Sequence, residues 1–161
     1  MNLVIRKGTK EDIPELLKLI RELARYEKAE HEVSNTPEMM LKDGFGGSPV
    51  FGSYVAEADG VIAGLAVYYY RYSTWKGKRI YLEDIIVTES HRGKGIGKSL
   101  FEEVMATVLR EQCTGMMWQV LDWNEPAINF YKRFNTRFDG EWINCHLDSG
   151  DIIKLMNSAD N

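Results

Sequence analysis

The sequence predicts a mixed α/β fold, a sheet with helices on both faces, and three stretches carry that prediction. Ile80 to Thr88 is an apolar, β-branched run that leads through a glycine-rich turn into an amphipathic helix. Phe51 to Ala58 and Val61 to Tyr72 alternate or run apolar around Asp59-Gly60, a type I′ hairpin signal. Ile13, Leu16, Leu17, Ile20, Leu23 and Ala24 make one face of an early helix.

Taken in order, Leu3 to Lys7 is a short strand, and Thr9 with Asp12 resembles a capping box that opens the first helix. That helix ends near Tyr26-Glu27. Thr36-Pro37 starts a second, shorter helix, with threonine as cap and proline in the first turn. The hairpin follows, and Tyr68, Tyr69, Tyr70 and Tyr72 crowd its second strand, as packing or as the lining of a cleft. Ser73 to Gly77 turns the chain into the central strand. After the long helix, Gly115 to Leu121 reads as a strand and Asn124 to Phe134 as a helix with Ala127, Phe130, Tyr131 and Phe134 on one side. Trp142 to Leu147 and Asp151 to Met156 read as a closing hairpin around Asp148-Ser149-Gly150. No repeat, low-complexity run or linker interrupts residues 1–161, so a single domain is expected.

Composition narrows the function classes. Hydrophobic residues make up 44% and charged ones 27%, ordinary for a soluble globular protein. No run approaches a membrane span, and Met1 to Thr9 lacks the apolar stretch of a signal peptide. Cys113 and Cys145 have no metal spacing and suggest reduced thiols in a cytoplasmic protein, as small core fillers. The net charge of −4 argues against nucleic acid and permits a cationic partner.

The central stretch carries the chemistry. Gly93, Gly95 and Gly97 let the backbone approach a ligand, and the helix that starts there adds partial positive charge. The turn is therefore an anion cradle, read as a phosphate site. A Walker loop fails on spacing, since Gly93 to Gly97 leaves three residues where four are needed. A dinucleotide fingerprint fails in the same way, one residue short. The pattern that fits is R-x-x-G-x-G after a strand, and Arg92 to Gly97 resembles the acetyl-CoA pyrophosphate loop of the GNAT acetyltransferase superfamily.

Two acids precede the turn. Neighbouring strand residues face opposite ways, so Glu83 and Asp84 share a cleft only if a bulge intervenes. Each is open to two uses, a structural contact to a basic residue or a carboxylate that meets a cationic substrate. Tyr131, read alone, is a core tyrosine whose hydroxyl finds an acceptor. His31, His91 and His146 are scattered and suggest neither a catalytic triad nor a metal site; His91 belongs to the turn that presents Arg92.

Three stretches together, YLEDIIV, HRGKGIG and DWNEPAINFYKR, with ELARYEK and DGFG earlier, resemble the diamine (spermidine/spermine) acetyltransferase family. The resemblance runs from about Ile5 to Trp142, and Tyr72 to Gly77 with Val120 to Asn124 is most similar to the thialysine acetyltransferase branch. It implies a mixed, mostly antiparallel GNAT sheet, acetyl-CoA as co-substrate, no metal, a small cationic amine as acceptor, and a homodimer. The backbone of Ile85, Ile86 and Val87 would hold the acetyl and pantetheine part. Arg92, Gly93, Lys94, Gly95, Ile96, Gly97 and Lys98 would hold the pyrophosphate, with Asn124, Glu125, Pro126 and Ala127 on the cofactor's other side. Tyr131 would be the general acid, and Glu83 would meet the amine and take its proton through a water. Tyr26, Glu27, Trp75, Asp84, Met117, Trp118 and Gln119 would shape the acceptor pocket, with Glu141 near the C-terminal turn. Phe134-Asn135 departs from the usual Arg-Gly; asparagine suits a left-handed cap, while a phosphate contact is lost.

An alkylamine with a pKa near 10.4 is free in only about one molecule in a thousand at neutral pH, a cost of roughly 4 kcal/mol. Acids around the pocket would attract the ammonium, and strand N–H groups would stabilise the oxyanion of direct attack. Acetylation of peptide or protein amines, and a non-catalytic acetyl-CoA-binding domain, are the alternatives. Ser73 and the STWKG stretch tilt the acceptor towards short lysine-like amines.

Overall fold

The computed structural model describes residues 1–158. Its elements run β1 (Leu3–Lys7), α1 (Ile13–Tyr26), α2 (Pro37–Phe45), β2 (Gly52–Ala58), β3 (Val61–Ser73), β4 (Gly77–Val87), α3 (Ile96–Arg110), β5 (Met116–Met117), α4 (Glu125–Lys132) and α5 (Ser149–Ser158). The five strands lie in sequence order in one sheet, antiparallel except for the parallel β4–β5 pair. Two compact units divide the chain, residues 1–121 and the segment from Asp122 onward, and the sheet belongs to the first. No helix among the described residues is long and apolar enough to cross a membrane.

Local chemistry sets the element boundaries. Thr9 and Asp12 form the expected capping box, and Asp12 also accepts from the two terminal guanidinium nitrogens of Arg6, at 2.8 and 3.0 Å. Arg6 and the Thr9 N–H hold the Asp12 carboxyl below its usual range. The Thr36 hydroxyl accepts the Met39 N–H at 3.2 Å to cap α2. Removing it in Thr36→Ala is expected to cost about 1 kcal/mol, a melting point lowered by roughly 2–4 °C in a chain this size, readable by calorimetry. Asp59 and Gly60 have φ of 51° and 81°, the left-handed pair that a type I′ turn requires.

The helices occupy both faces, as expected. Alternate strand residues Val55, Leu65, Val67 and Ile86 pack with Ile13, Leu16 and Leu17 of α1 and Met40 of α2. On the other face Tyr54 bonds Thr107 of α3 through their hydroxyls at 2.8 Å. Gly64 lets α3 approach closely: a Cβ there would lie 3.0 Å from Leu100 and from the Ile86 carbonyl.

Three expectations need correction. The closing hairpin is absent: 142–147 forms no strand, and 149–158 is helix α5. Ile152, Ile153, Leu155 and Met156 suit helical spacing as well as a strand, and the Asp148 carbonyl accepts the Asp151 and Ile152 N–H groups in a first turn. A hairpin by itself has little stability in water. The strand expected over 115–121 shrinks to Met116–Met117. Finally, Cys145 is exposed and Cys113 only half-buried, so neither fills the core.

Candidate active site

The bulge that the two acids need is present. Val67 pairs with Asp84, but the next pair is Tyr68 with Leu82, which leaves Glu83 as the extra residue of β4. The register reverses there. Leu82 shares a face with Tyr68, whereas Asp84 and Ile86 share the α1 face with Val67 and Leu65. Glu83 is brought to that face too, where its carboxylate is near enough to push up the Tyr69 hydroxyl. Tyr69 and Tyr81 stack with centroids 5.1 Å apart, and the charges of Glu83 and Asp84 both act on Tyr81.

A bulge also increases twist, which explains the short β5. Only Ile80 and Tyr81 pair with Met116 and Met117, so the β4 edge beyond Tyr81 has no strand partner among the described residues. The Thr88 N–H donates to the Ala63 carbonyl. By antiparallel alternation Ile86 and Asp84 therefore aim their N–H and C=O groups at β3, and Ile85 and Val87 aim theirs outward. Arg92 confirms the direction, since its Nε donates to the Val87 carbonyl at 2.9 Å.

The electrostatics centre on Asp84. Half-buried, it is pushed up to about 7, first by loss of water and then by the charges of Glu83 and Glu27. Burial raises Glu27 as well, at the C-terminal cap of α1. Three carboxyls at close quarters prefer to share protons or to meet a cation. Burial and the Glu83 charge push the Tyr69 hydroxyl up to about 12.

The glycine turn has the geometry of an anion cradle. Gly93 and Gly95 have φ of 75° and 83°, and a Cβ at either would meet no atom within 4 Å. Gly95 is the left-handed cap of α3, whose first-turn N–H groups, Ile96, Gly97 and Lys98, have no partner within their own helix. Arg92 lies 3.6 Å from Glu22 and 5.3 Å over the Tyr26 ring. Lys94 donates to the Ser90 carbonyl and Lys98 pairs with Glu102. Open backbone, helix start and three cations fit a diphosphate.

Other expected site residues are dispersed. Met117 stands beside Tyr81 and accepts from Arg71. Trp118, half-buried, packs edge-on to Phe101, a core residue of α3. Gln119 is exposed. Trp75 is 85% exposed on the β3–β4 turn, eight residues from Glu83, about 25 Å along an extended strand. Tyr26 carries the Arg92 guanidinium over its ring. Sequence reasoning missed Arg71 and Arg79 and left the roles of Tyr69 and Tyr81 open; cross-strand register was the signal needed.

The second unit holds the rest. Buried Asn124 caps α4 by accepting the Ala127 N–H at 3.3 Å, ahead of Glu125 and Pro126. Tyr131, 6% exposed, sits in the last turn beside Phe130, and its carbonyl accepts the Thr136 hydroxyl. Asn135 takes φ of 53°, the left-handed position in which asparagine was expected to replace glycine. Glu141 is exposed, its N–H bonded to Asp139.

Comparison with known proteins agrees with this geometry. Residues 14–135 match the model of the acetyltransferase (GNAT) family. Thialysine N-epsilon-acetyltransferase of Mus musculus is 40% identical over 136 residues, 80% of each chain; that of Bos taurus is 37% identical over 163, 95% and 96% of the two chains. A spermidine/spermine N(1)-acetyltransferase-like protein of Homo sapiens is 37% identical over 79% of this chain and 19% of its own. Among solved structures, an integron cassette protein of V. cholerae superposes with a TM-score of 0.77 at 22% identity, covering 97% and 98% of the chains. An aminoglycoside N-acetyltransferase in complex with CoA superposes at 0.73 and 21%, covering 91% and 95%. The bulged strand with its open edge, the glycine turn that follows and a family match running through both make this chain a member of the GNAT acetyltransferase family.

Proposed function

We propose that this N-acetyltransferase moves the acetyl group of acetyl-CoA to a primary amine of a small cationic acceptor, by direct attack in a ternary complex. One observation carries the reading: the bulge at Glu83 gathers Glu83 and Asp84 on one face and turns the Ile85 and Val87 backbone outward. The names of the curated relatives, thialysine and spermidine/spermine acetyltransferases, support an amine acceptor. The family match spans residues 14–135, which supports one acetyltransferase domain working as a whole. A cytoplasmic homodimer belongs to the same proposal, supported by the exposed aromatics Tyr70, Tyr72 and Trp75 along one hairpin.

Each group has a task. Glu27, Glu83 and Asp84 attract the ammonium by their charge. The Glu83–Asp84 pair accepts its proton, Glu83 through a water and Asp84 with the pKa closest to neutrality. The outward N–H groups of Ile85 and Val87 hold the oxygen on which negative charge develops. Arg92, Lys94, Lys98 and the turn amides of Gly93, Gly95, Ile96 and Gly97 bind the diphosphate. Asn124, Glu125, Pro126 and Ala127 form the capped helix start offered to the cofactor's other side. Acetyl-CoA supplies the activated thioester. Tyr131 donates a proton to the departing thiolate; because a thiol pKa is only about 8.5, this helps without being indispensable.

The test follows loss of free amine and release of thiol, with acetyl-CoA and a panel of lysine, thialysine, putrescine and spermidine. Acetyl-CoA-dependent transfer to an amine is expected; CoA binding without transfer would leave only a binding domain. In the same assay Tyr131→Phe is expected to lower turnover about a hundredfold without abolishing it. Unchanged turnover removes Tyr131 from the mechanism.

A further inference from the structure

An acid beside a diphosphate site repels the ligand, so Glu22 needs another reason to stand there. It is half-buried on α1 and has no task in the acetyl transfer described above. Its carboxylate reaches across 67 residues of sequence to accept the Glu89 N–H at 3.0 Å. That N–H opens the short 3-10 turn Glu89–His91 that leads into the glycine loop, and Thr88 ahead of it offers no side-chain cap. A carboxylate from another element thus satisfies a helix-start donor that would otherwise be left over. The same carboxylate lies 3.6 Å from a terminal nitrogen of Arg92. The charge of Glu22 also acts on Arg25, but that guanidinium is taken by Glu30 at 2.7 Å.

Arg92 is held from more than one side. Its Nε donates to the Val87 carbonyl at 2.9 Å, its guanidinium lies 5.3 Å over the Tyr26 ring, and Glu22 faces it. Glu22 and Tyr26 stand at i and i+4 on α1, so one helix face supplies both of its supports from that side. A guanidinium carries several N–H donors in a rigid plane, and the Val87 and Glu22 contacts leave some of them for an anion. A fork fixed in advance loses less freedom when a phosphate arrives, and binds it more tightly.

We propose that Glu22 is a positioning residue for the cofactor: it fixes Arg92 and the start of the turn against α1, so that guanidinium and glycine loop meet the diphosphate already in place. This rests on the acetyl-CoA reading above and adds to it a residue that lies outside the turn. Glu22 touches no phosphate itself. It acts through Arg92 and through the Glu89 amide.

The experiment titrates CoA by calorimetry into the wild-type chain, Glu22→Gln, Glu22→Ala, Arg92→Ala and the double variant of Glu22→Gln with Arg92→Ala, each beside a thermal melt. Glutamine still offers an oxygen to the Glu89 N–H but no charge to Arg92, and is expected to raise Kd about two- to fivefold. Alanine loses both contacts and is expected to raise it about tenfold to a hundredfold. Once Arg92 is gone the Glu22 charge has nothing left to hold, so Glu22→Gln is then expected to change Kd by less than about twofold. In the acetyl-transfer assay the loss should fall on KM for acetyl-CoA and not on KM for the amine. A merely structural brace would lower the melting point and leave the Kd of the folded variants at the wild-type value. That result, an equal effect of Glu22→Gln with and without Arg92, or tighter binding in Glu22→Gln overturns this proposal and leaves the cofactor reading standing. Should Glu22→Ala fail to fold, the glutamine comparison still decides. A wild type that binds no CoA overturns the cofactor reading and this proposal with it.

Discussion

Asp84→Asn is expected to lower kcat/KM by about 10² to 10⁴ while making the protein more stable at neutral pH. The loss of rate follows from the proton that must leave the ammonium. Asp84 can accept it only when ionised, and with its pKa pushed up to about 7 the carboxylate is half formed near neutrality. The rate profile of the wild type should fall on the acid side through about pH 7, and the asparagine variant should lose that limb. Glu83→Gln should shift the profile instead of removing the limb, because it takes away a neighbouring charge that raises Asp84. An acid limb that persists in Asp84→Asn would move the base elsewhere.

The gain in stability has the opposite sign and the same cause. A carboxyl raised from 3.8 to about 7 on folding binds its proton more tightly in the folded chain. Its stabilising effect is full below pH 3.8 and is lost as pH rises through about 7. Keeping this group ionised therefore costs up to about 4 kcal/mol, at about 1.4 per pKa unit. Asparagine carries no such cost. Denaturant melts of both proteins at pH 3.5, pH 5 and pH 8 should show the variant's advantage small at pH 3.5, partial at pH 5 and largest at pH 8. Equal gains at all three would contradict the burial of a charge.

Gly95→Val is expected to weaken CoA binding at least about a hundredfold while the chain stays folded. Gly95 adopts φ of 83°, which a β-branched residue reaches only with strain of about 1–3 kcal/mol. A Cβ there meets nothing within 4 Å, so the first carbon of the new side chain adds no crowding and the fold has no reason to collapse. The damage is confined to the amides that cap α3, and to the space a diphosphate would occupy. Calorimetry with CoA, beside a thermal melt, separates the two effects. Heat equal to the wild type in a folded variant would remove the turn from cofactor binding.

Much of the site was readable from local chemistry. Gly93 and Gly95 form the turn that their spacing implied, and Thr36, Asp59-Gly60, Asn124 and Asn135 behave as caps and turns because those roles depend on a few adjacent residues. The C-terminal stretch misled because Ile152, Ile153, Leu155 and Met156 satisfy both periods, and an apolar run does not say whether a neighbouring strand exists. The contact of Trp118 with Phe101 was not legible either, because only packing reveals it.

By itself the sequence determined the order of elements through α4, the family, and the residue types available for acetyl transfer. All of these are written in spacing over a few residues. The tertiary structure alone decided that Glu83 is the extra residue of β4, that Asp84 is the carboxyl tuned towards neutrality, and that Arg71 faces Arg79. Those are matters of cross-strand register and burial. They depend on which distant residue lies opposite, and a one-residue slip sends every side chain to the other face.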